Sequence, residues 1–187
     1  MTVSTNQFKS GMALVLDGEL YLIVEFQHVK PGKGSAFVRT KLKSLKTGNV
    51  LSKTFDAGEK FQDAFIEKKT LQFQYRAGEL YHFMDMESYE QLNFQTNDLG
   101  DAVHYLTGNL EVRGEFFENR LIGLELPTTV TLKITHSDPG LKGDTSKAAM
   151  KPATLETGLK IQIPLFIEPG EQIKVDTRTG EYAGRAG

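Results

Sequence analysis

The chain has 187 residues, of which 39% are hydrophobic and 10% aromatic, so it can form packed cores and is not a disordered chain. It has no cysteine, which excludes disulfides, thiolate zinc sites and cysteine nucleophiles. The net charge of -2 conceals a division, because residues 1–63 carry +3, residues 64–127 carry -6 and residues 128–187 carry +1. The sequence has neither a signal-peptide pattern nor an apolar run near the roughly 20 residues that span a bilayer. We therefore expect a cytoplasmic protein without a membrane partner.

The first third of the chain predicts hairpins around a basic strand. Asp17-Gly18 and Thr47-Gly48-Asn49 are turn sequences that favour hairpins. Between these turns, residues 37–43 alternate with a period of two. One face carries Val38, Thr40 and Leu42, and the other carries Phe37, Arg39, Lys41 and Lys43. This pattern predicts a strand with one basic face.

The middle third continues the strand pattern and contains the best helix candidate. Residues 97–106 predict a helix that Asn97 would cap, with Leu99, Val103 and Leu106 on one side. Ala77-Gly78 predicts a turn. Strands are predicted at residues 71–75, 80–84, 110–113 and 121–125.

Pro127 marks a boundary, after which strands are predicted again. Residues 130–135 alternate between apolar and polar side chains, and residues 138–152 form a polar, glycine-rich stretch that predicts a loop. Residues 159–167 give the longest one-sided apolar strand, and residues 168–170 turn the chain into a last strand at 173–175.

These signals together predict an all-β protein made of small barrels or sandwiches. The spacing of the strands and the division of charge agree on three β domains, at residues 1–63, 64–127 and 128–187. Domains of about 60 residues bury modest cores and often depend on their neighbours for stability.

No motif commits the chain to catalysis. The phosphate-binding loop pattern fails because Gly34 follows Lys33 where Ser or Thr is needed, and the dinucleotide pattern fails at Phe37. The four histidines lack metal-ligand spacing, and no catalytic triad can be argued from the sequence. We therefore predict a protein that is not an enzyme and that holds no metal and no cofactor.

The loop at residues 31–34, PGKG, is the most distinctive local feature. Pro31 fixes φ on the entry side, and Gly32 and Gly34 permit a tight turn that can approach another surface closely. The turn presents Lys33 on a stretch, Phe26 to Phe55, that has seven basic residues and no acid. A plain hairpin with a solvated lysine and a solvated basic face is the alternative interpretation. A projecting lysine on a cationic strand suits a crowded anionic target such as folded RNA.

Several stretches resemble the bacterial elongation factor P family. VKPGKGSAFVRTKLKSLKTGNV at residues 29–50 closely resembles its first domain, and DPGLKGDTSKAAMKPATLETGLKIQIPLFIEPGEQIKVDTRTGEY at 138–182 resembles its C-terminal domain. GEKF at 58–61 and FMDMESYEQL at 83–92 are also similar. One departure is TSKAAMKP at 145–152, where the family is usually richer in glycine. The resemblance runs nearly end to end.

The resemblance implies an SH3/KOW-like first domain followed by two OB-folds, in an L-shaped arrangement that mimics tRNA. It implies a monomeric translation elongation factor that binds the ribosome between the peptidyl and exit sites. There it would stimulate peptide-bond formation at stalls on consecutive prolines by positioning peptidyl-tRNA. Its partners would be the ribosome, peptidyl-tRNA, ribosomal RNA and a lysine-modifying enzyme.

The resemblance also implies roles for particular residues. Lys33 would lie against the CCA end of peptidyl-tRNA and is the position that many family members modify. The loop containing Gly143, Asp144 and Thr145 would lie near the exit-site codon. The remaining tRNA or rRNA contacts would be Arg39, Lys41, Lys43, Tyr182 and Arg185.

The alternative function is a general OB-fold protein that binds single-stranded nucleic acid. Such a protein needs exposed aromatic side chains interleaved with its basic strand, because bases stack on them. Only Phe37 answers that description in the basic strand.

Overall fold

A computed structural model describes residues 2–139 and 149–187, which form β-strands with short helical turns. The described residues divide into two compact units, one within Met1–Lys68 and Glu115–Gly123, the other within Lys69–Gly114 and Leu124–Gly187. The all-β prediction is confirmed. Within the described ranges, no helix has the length and apolar character needed to cross a membrane.

The first sheet has six strands in the order β1-β6-β2-β3-β4-β5. The predicted hairpin turn at Asp17-Gly18 is confirmed, because both residues have positive φ, 51° and 81°, and join β2 to β3. Thr47-Gly48-Asn49 likewise joins β4 to β5, with Gly48 at φ 75°. The strands are β1 (Thr2–Ser4), β2 (Ala13–Leu16), β3 (Glu19–Val29), β4 (Phe37–Ser44), β5 (Val50–Asp56) and β6 (Lys60–Ala64). A 3-10 turn, Thr5–Gln7, follows β1.

The core of this sheet comes from the inward faces of its strands. Val38 and Leu42 of β4 and Ile23 of β3 are completely buried, as the alternation in the sequence predicts. Phe8, Phe55 and Phe61 pack together, with ring centroids 4.6–6.3 Å apart. Each such side chain contributes roughly 2 kcal/mol through burial of apolar surface, so the core fixes which face of β4 is exposed.

The second sheet has five strands in the order β11-β10-β7-β8-β9. The strands predicted at residues 71–75, 80–84, 110–113 and 121–125 are confirmed, and the first and third of them are longer than predicted. Leu71 and Phe83 are completely buried in it. The strands are β7 (Glu67–Ala77), β8 (Leu80–Asp85), β9 (Gln91–Gln95), β10 (Glu111–Phe117) and β11 (Arg120–Glu125).

The prediction of one helix over residues 97–106 is wrong. The structure has a single α-helical turn, α1 (Thr96–Leu99), followed by a 3-10 helix at Gly100–His104. Gly100 has φ 55° and ψ -136°, which no α-helix can contain, so the helix ends there. The start is also different, because Gln95 precedes the helix and its backbone N–H donates to Asp98 Oδ2 at 3.0 Å.

The third sheet has five strands in the order β14-β13-β12-β15-β16. Its core is aliphatic, with Leu132, Ile163 and Ile173 completely buried. The strands predicted at residues 130–135 and 173–175 are confirmed. The strands are β12 (Thr129–Ser137), β13 (Met150–Leu155), β14 (Lys160–Pro164), β15 (Gln172–Asp176) and β16 (Tyr182–Arg185).

Two predictions for this part of the chain need correction. The loop predicted at residues 138–152 is too long, because β13 begins at Met150 and includes Pro152, whose carbonyl accepts from Asp138 N–H at 3.4 Å. The strand predicted at residues 159–167 ends at Pro164, where the chain turns and Ile167 N–H donates to the Pro164 carbonyl at 3.2 Å. Ile167 is still completely buried, so its apolar character reflects the core and not a continuing strand.

Candidate nucleic-acid interface

The PGKG loop joins β3 to β4 and is exposed along its length. Residues 30–35 are all exposed, and so is the Lys33 side chain. Among the described residues, none forms a hydrogen bond or an ion pair with Lys33. Its amine is therefore not folded back into its own barrel and is open to a partner. Lys30, a second exposed lysine in the loop, was not singled out by the sequence.

The two glycines of the loop differ in what the fold requires of them. Gly34 has φ +101°, a conformation that side chains rarely adopt, so the turn itself needs glycine there. Gly32 has a negative φ, and a Cβ built on it would meet no atom within 4 Å. The described fold therefore gives no reason for glycine at position 32.

Strand β4 presents the predicted basic residues on its outer face. Val38, Thr40 and Leu42 are buried, and Arg39, Lys41 and Lys43 between them are exposed. The buried Thr40 hydroxyl is satisfied, because its Oγ1 donates to the Lys53 carbonyl at 2.8 Å.

The positive charge of this region is smaller than the sequence window indicates. Three of the seven basic residues between Phe26 and Phe55 form ion pairs with acids just outside that window. The pairs are Lys41 with Glu25 at 2.7 Å, Lys46 with Glu19 at 3.1 Å and Lys53 with Asp17 at 3.8 Å. The hydrogen bond from Lys46 lowers the pKa of the Glu19 carboxyl. Of these seven, the four with no acidic partner among the described residues are Lys30, Lys33, Arg39 and Lys43.

Arg39 is held by an aromatic ring instead of a carboxylate. Its guanidinium carbon lies 5.5 Å from the centroid of the Phe37 ring, two residues earlier on the same face of β4. A cation–π contact of this kind restrains the guanidinium, and no hydrogen bond among the described residues occupies its N–H donors.

Arg39 and Lys41 lie in a groove of about 360 Å³ on the outer face of strands β3, β4 and β5. The register pairs Gln27 with Arg39 and Glu25 with Lys41. Lys43 pairs with Leu22 and Val50 in a different row and is not part of the groove. The sequence did not predict the acidic and neutral side chains of the groove, because they come from the two neighbouring strands. They are Glu25 and Gln27 of β3 and Ser52 and Thr54 of β5.

The C-terminal candidates lie on β16, at the edge of the third sheet. Tyr182 is half-buried and packs against the core of that sheet. Arg185 is exposed, but its Nε is 3.2 Å from Glu171 Oε2 and its guanidinium carbon is 4.9 Å from the Phe166 ring centroid. Arg185 is therefore already engaged within its own sheet.

The remaining candidates, Gly143, Asp144 and Thr145, lie outside the described residues. Within residues 2–139 and 149–187, no group of three or more His, Asp or Glu side chains is arranged to hold a metal ion.

Comparison with protein families gives three consecutive matches. The models are described as "Elongation factor P (EF-P) KOW-like domain", "Elongation factor P (EF-P) OB domain" and "Elongation factor P, C-terminal". They match residues 4–61, 66–124 and 130–185, respectively.

Relatives similar to the chain over its whole length bear the same name. Elongation factor P of Acidothermus cellulolyticus is 54% identical over 183 residues, which are 98% of this chain and 98% of that protein. Elongation factor P of Moorella thermoacetica is 50% identical over 184 residues, which are 98% of this chain and 100% of that protein.

A solved structure shows the same fold over part of the chain. Eukaryotic translation initiation factor 5A from Methanococcus jannaschii aligns with a TM-score of 0.50 at 22% identity, covering 66% of this chain and 97% of that chain.

The KOW-like and OB parts of the predicted fold are confirmed by the family matches. The identity and coverage of the relatives leave one conclusion: the chain belongs to the elongation factor P family, whose members are translation elongation factors and not enzymes.

Proposed function

We propose that this translation elongation factor binds the ribosome between the peptidyl and exit sites and stimulates peptide-bond formation at stalls on consecutive prolines. It does so by positioning peptidyl-tRNA, and the ribosome supplies the chemistry. The observation that carries the proposal is Lys33, an exposed cation at the tip of the β3–β4 hairpin with no partner among the described residues.

Positioning is the kind of help that a stalled proline needs. The pyrrolidine ring fixes φ and crowds the nitrogen, so prolines align poorly for peptidyl transfer. Holding the CCA end and the nascent chain in an attack-ready geometry removes part of the entropic barrier. A donor-rich ammonium group such as that of Lys33 can do this by contacting phosphates and sugars at the CCA end.

The basic face of β4 supplies binding to the acceptor stem. Arg39, Lys41 and Lys43 contact the RNA backbone, which is a salt-sensitive interaction that does not read sequence. Arg39 contributes most to RNA binding, because it is the basic residue of the groove that has no acidic partner among the described residues.

The C-terminal domain, residues 128–187, makes the remaining contacts. We propose that Tyr182 and Arg185 touch tRNA and that the loop containing Gly143, Asp144 and Thr145 approaches the exit-site codon. The first domain, residues 1–63, and the central domain, residues 64–127, complete the three-domain arrangement.

Lys33 is also the proposed target of a lysine-modifying enzyme in the cytoplasm, with the factor acting as a monomer. An exposed amine on a projecting loop is accessible to such an enzyme. Intact-mass spectrometry of the protein from its native host tests this, because an unmodified mass would contradict it.

The proposed function is tested by dipeptide synthesis between prolines on purified ribosomes. Lys33→Ala is expected to abolish the stimulation at saturating factor, because the positioning group is gone. Lys30→Ala is the matched control, since it removes an equal charge three residues away in the same exposed loop. It is expected to raise only the concentration of factor required. Full stimulation by Lys33→Ala would overturn the proposal.

One observation favours the alternative, a general single-stranded nucleic-acid binder. Tyr75, 54% exposed on the second sheet, stacks on His82 with centroids 4.3 Å apart and an interplanar angle of 15°. Such an exposed ring offers a platform for a base. The alternative predicts that Tyr75→Ala weakens binding to single-stranded RNA in the absence of ribosomes. The main proposal predicts that Tyr75→Ala stimulates peptide-bond formation between prolines as well as the wild type does.

A further inference from the structure

We propose that the groove on the outer face of β3, β4 and β5 binds the ribose–phosphate backbone of RNA, and that Glu25 limits the strength of this binding. Arg39 binds the phosphate, and Gln27, Ser52 and Thr54 form hydrogen bonds with the sugar hydroxyls. Glu25 forms an ion pair with Lys41 and so keeps Lys41 from binding the phosphate. This inference rests on the proposed function for the class of partner and adds the residues that bind it.

The register of the three strands defines the groove. Gln27, Arg39 and Thr54 are cross-strand neighbours in one row, and Glu25, Lys41 and Ser52 form the next row. The residues between these rows, Phe26, Thr40 and Lys53, contribute to the lining of the same groove of about 360 Å³. The side chains of the two outward rows are all polar, and Phe26 is the apolar residue of the lining.

Four polar side chains of the two rows have donors and acceptors that are open to a ligand. Within the described ranges, Gln27, Arg39 and Thr54 of the first row and Ser52 of the second make no side-chain hydrogen bond and no ion pair. A guanidinium beside two hydroxyls and an amide provides charged donors for a phosphate, together with neutral donors and acceptors for ribose. A 2′-hydroxyl both donates and accepts, so this set of groups suits RNA better than DNA.

A β-bulge places Glu25 in the second row. Ile23 pairs with Leu42 and Glu25 pairs with Lys41, which leaves Val24 as an extra residue. The extra residue reverses the alternation, so Ile23 faces the core while Glu25 faces the groove beside Lys41. The Lys41 Nζ then lies 2.7 Å from Glu25 Oε2.

The carboxylate of Glu25 has two effects on an incoming phosphate. It repels the phosphate, and it occupies the ammonium group of Lys41. Glu25 is therefore expected to weaken binding.

The test compares four variants of the full chain in binding to ribosomes that carry peptidyl-site tRNA, over a series of salt concentrations. The variants are Arg39→Gln, Thr54→Val, Glu25→Gln and the control Thr2→Val. Thr2 is an exposed residue on β1, at the opposite edge of the same sheet from β5. An RNA hairpin and a DNA hairpin of the same sequence serve as probes without ribosomal protein.

Each variant has its own expected signature. Arg39→Gln weakens ribosome binding about tenfold and lowers the salt slope by about 1, because one phosphate contact is lost. Thr54→Val weakens it about threefold with an unchanged slope and reduces the preference for the RNA hairpin over the DNA hairpin. Glu25→Gln tightens binding about threefold and raises the slope, because Lys41 becomes available. Thr2→Val changes nothing.

Weaker binding by Glu25→Gln, or no effect of Thr54→Val, would overturn the inference. So would a loss of ribosome binding by Arg39→Gln with unchanged hairpin binding, which would indicate a protein partner. The proposed function fails separately, through full activity of Lys33→Ala. The two failures are distinguishable because one is measured as affinity and salt slope and the other as the rate of dipeptide synthesis at saturating factor.

Discussion

Two arginines of the molecule, both predicted to contact RNA, sit over phenylalanine rings in different circumstances. Arg39 lies 5.5 Å from the Phe37 centroid and has no ion pair among the described residues. Arg185 lies 4.9 Å from the Phe166 centroid and also contacts both carboxylate oxygens of Glu171, at 3.2 Å and 3.5 Å. A phosphate can bind Arg39 directly but must compete with a carboxylate at Arg185.

The difference shows that a basic residue in a sequence is not yet a binding residue. What counts is whether the fold has already satisfied its donors. In the region of β4 and the PGKG loop, Lys33 and Arg39 have no acidic partner among the described residues, whereas Arg185 on the edge strand β16 is paired with Glu171. The open region is therefore the better candidate for the first contact with RNA.

Among the three effects considered, the largest is expected from substitution of Gly32 in the PGKG loop, and it is an effect on the rate of diprolyl synthesis. Gly32→Ala should fold with an unchanged or slightly raised melting temperature, because the position has a negative φ and open space around it. We expect at least a tenfold loss of diprolyl synthesis, on the order of the effect of displacing a positioning group by 1 Å. The reason is that a partner packed against the loop leaves no room for a methyl group.

Gly34→Ala is the contrasting variant, since φ +101° strains any side chain and disorders the loop itself. Melting curves, amide exchange of the loop and synthesis rates distinguish the two variants. Wild-type activity of Gly32→Ala would show that nothing approaches the loop closely at that position.

A second effect, on affinity, compares the two arginines directly. Arg39→Gln should weaken ribosome binding about tenfold and Arg185→Gln only about twofold to threefold, because Arg185 gives up Glu171 before it gains a phosphate. Titration at several salt concentrations measures both. Equal losses for the two variants would show that the ion pair with Glu171 does not weaken the contact of Arg185 with RNA.

The smallest effect concerns a third arginine, Arg178, which is fully engaged. Its Nε and Nη2 contact Asp176 at 3.2 Å and 2.8 Å, and the hydrogen bonds from Arg178 lower the pKa of Asp176 to about 2. A carboxyl whose pKa is lowered by folding stabilises the fold above its unfolded pKa of about 3.9 and loses that contribution as the pH falls toward about 2.

Asp176→Asn should therefore be slightly less stable than the wild type at neutral pH, with the difference shrinking between about pH 4 and pH 2. Denaturant unfolding at a series of pH values measures it. RNA binding at neutral pH should not change, and a difference in stability that grows on acidification would contradict the assignment of the low pKa to this pair.

Local sequence signals predicted the parts of the fold that depend on neighbouring residues. The alternation in residues 37–43 identified the exposed face of β4. The Asp17-Gly18 and Thr47-Gly48-Asn49 turns were located through residues that favour turns, and Asp17, Gly18 and Gly48 have positive φ in the structure. Gly100 was the reason that one predicted helix became two short turns.

Features that depend on long-range pairing were not predictable in this way. The strand β13 contains Pro152 and follows a polar stretch, so only its pairing with β12 and β14 shows that it is a strand. The ion pair of Lys41 with Glu25 depends on the register of β3 and β4 and on the bulge at Val24. For that reason the sequence overestimated the free positive charge of the basic face.

The proposed function requires that Lys33 lies against the CCA end of peptidyl-tRNA when the factor is bound. A photoreactive side chain at position 33, with the factor on ribosomes stalled at consecutive prolines, tests it most directly. Mapping the cross-link is expected to locate it at the 3′ end of peptidyl-tRNA, and the same probe at position 30 is expected to give much less of that product. Cross-links from position 33 to ribosomal protein alone, with none to tRNA, would contradict the account.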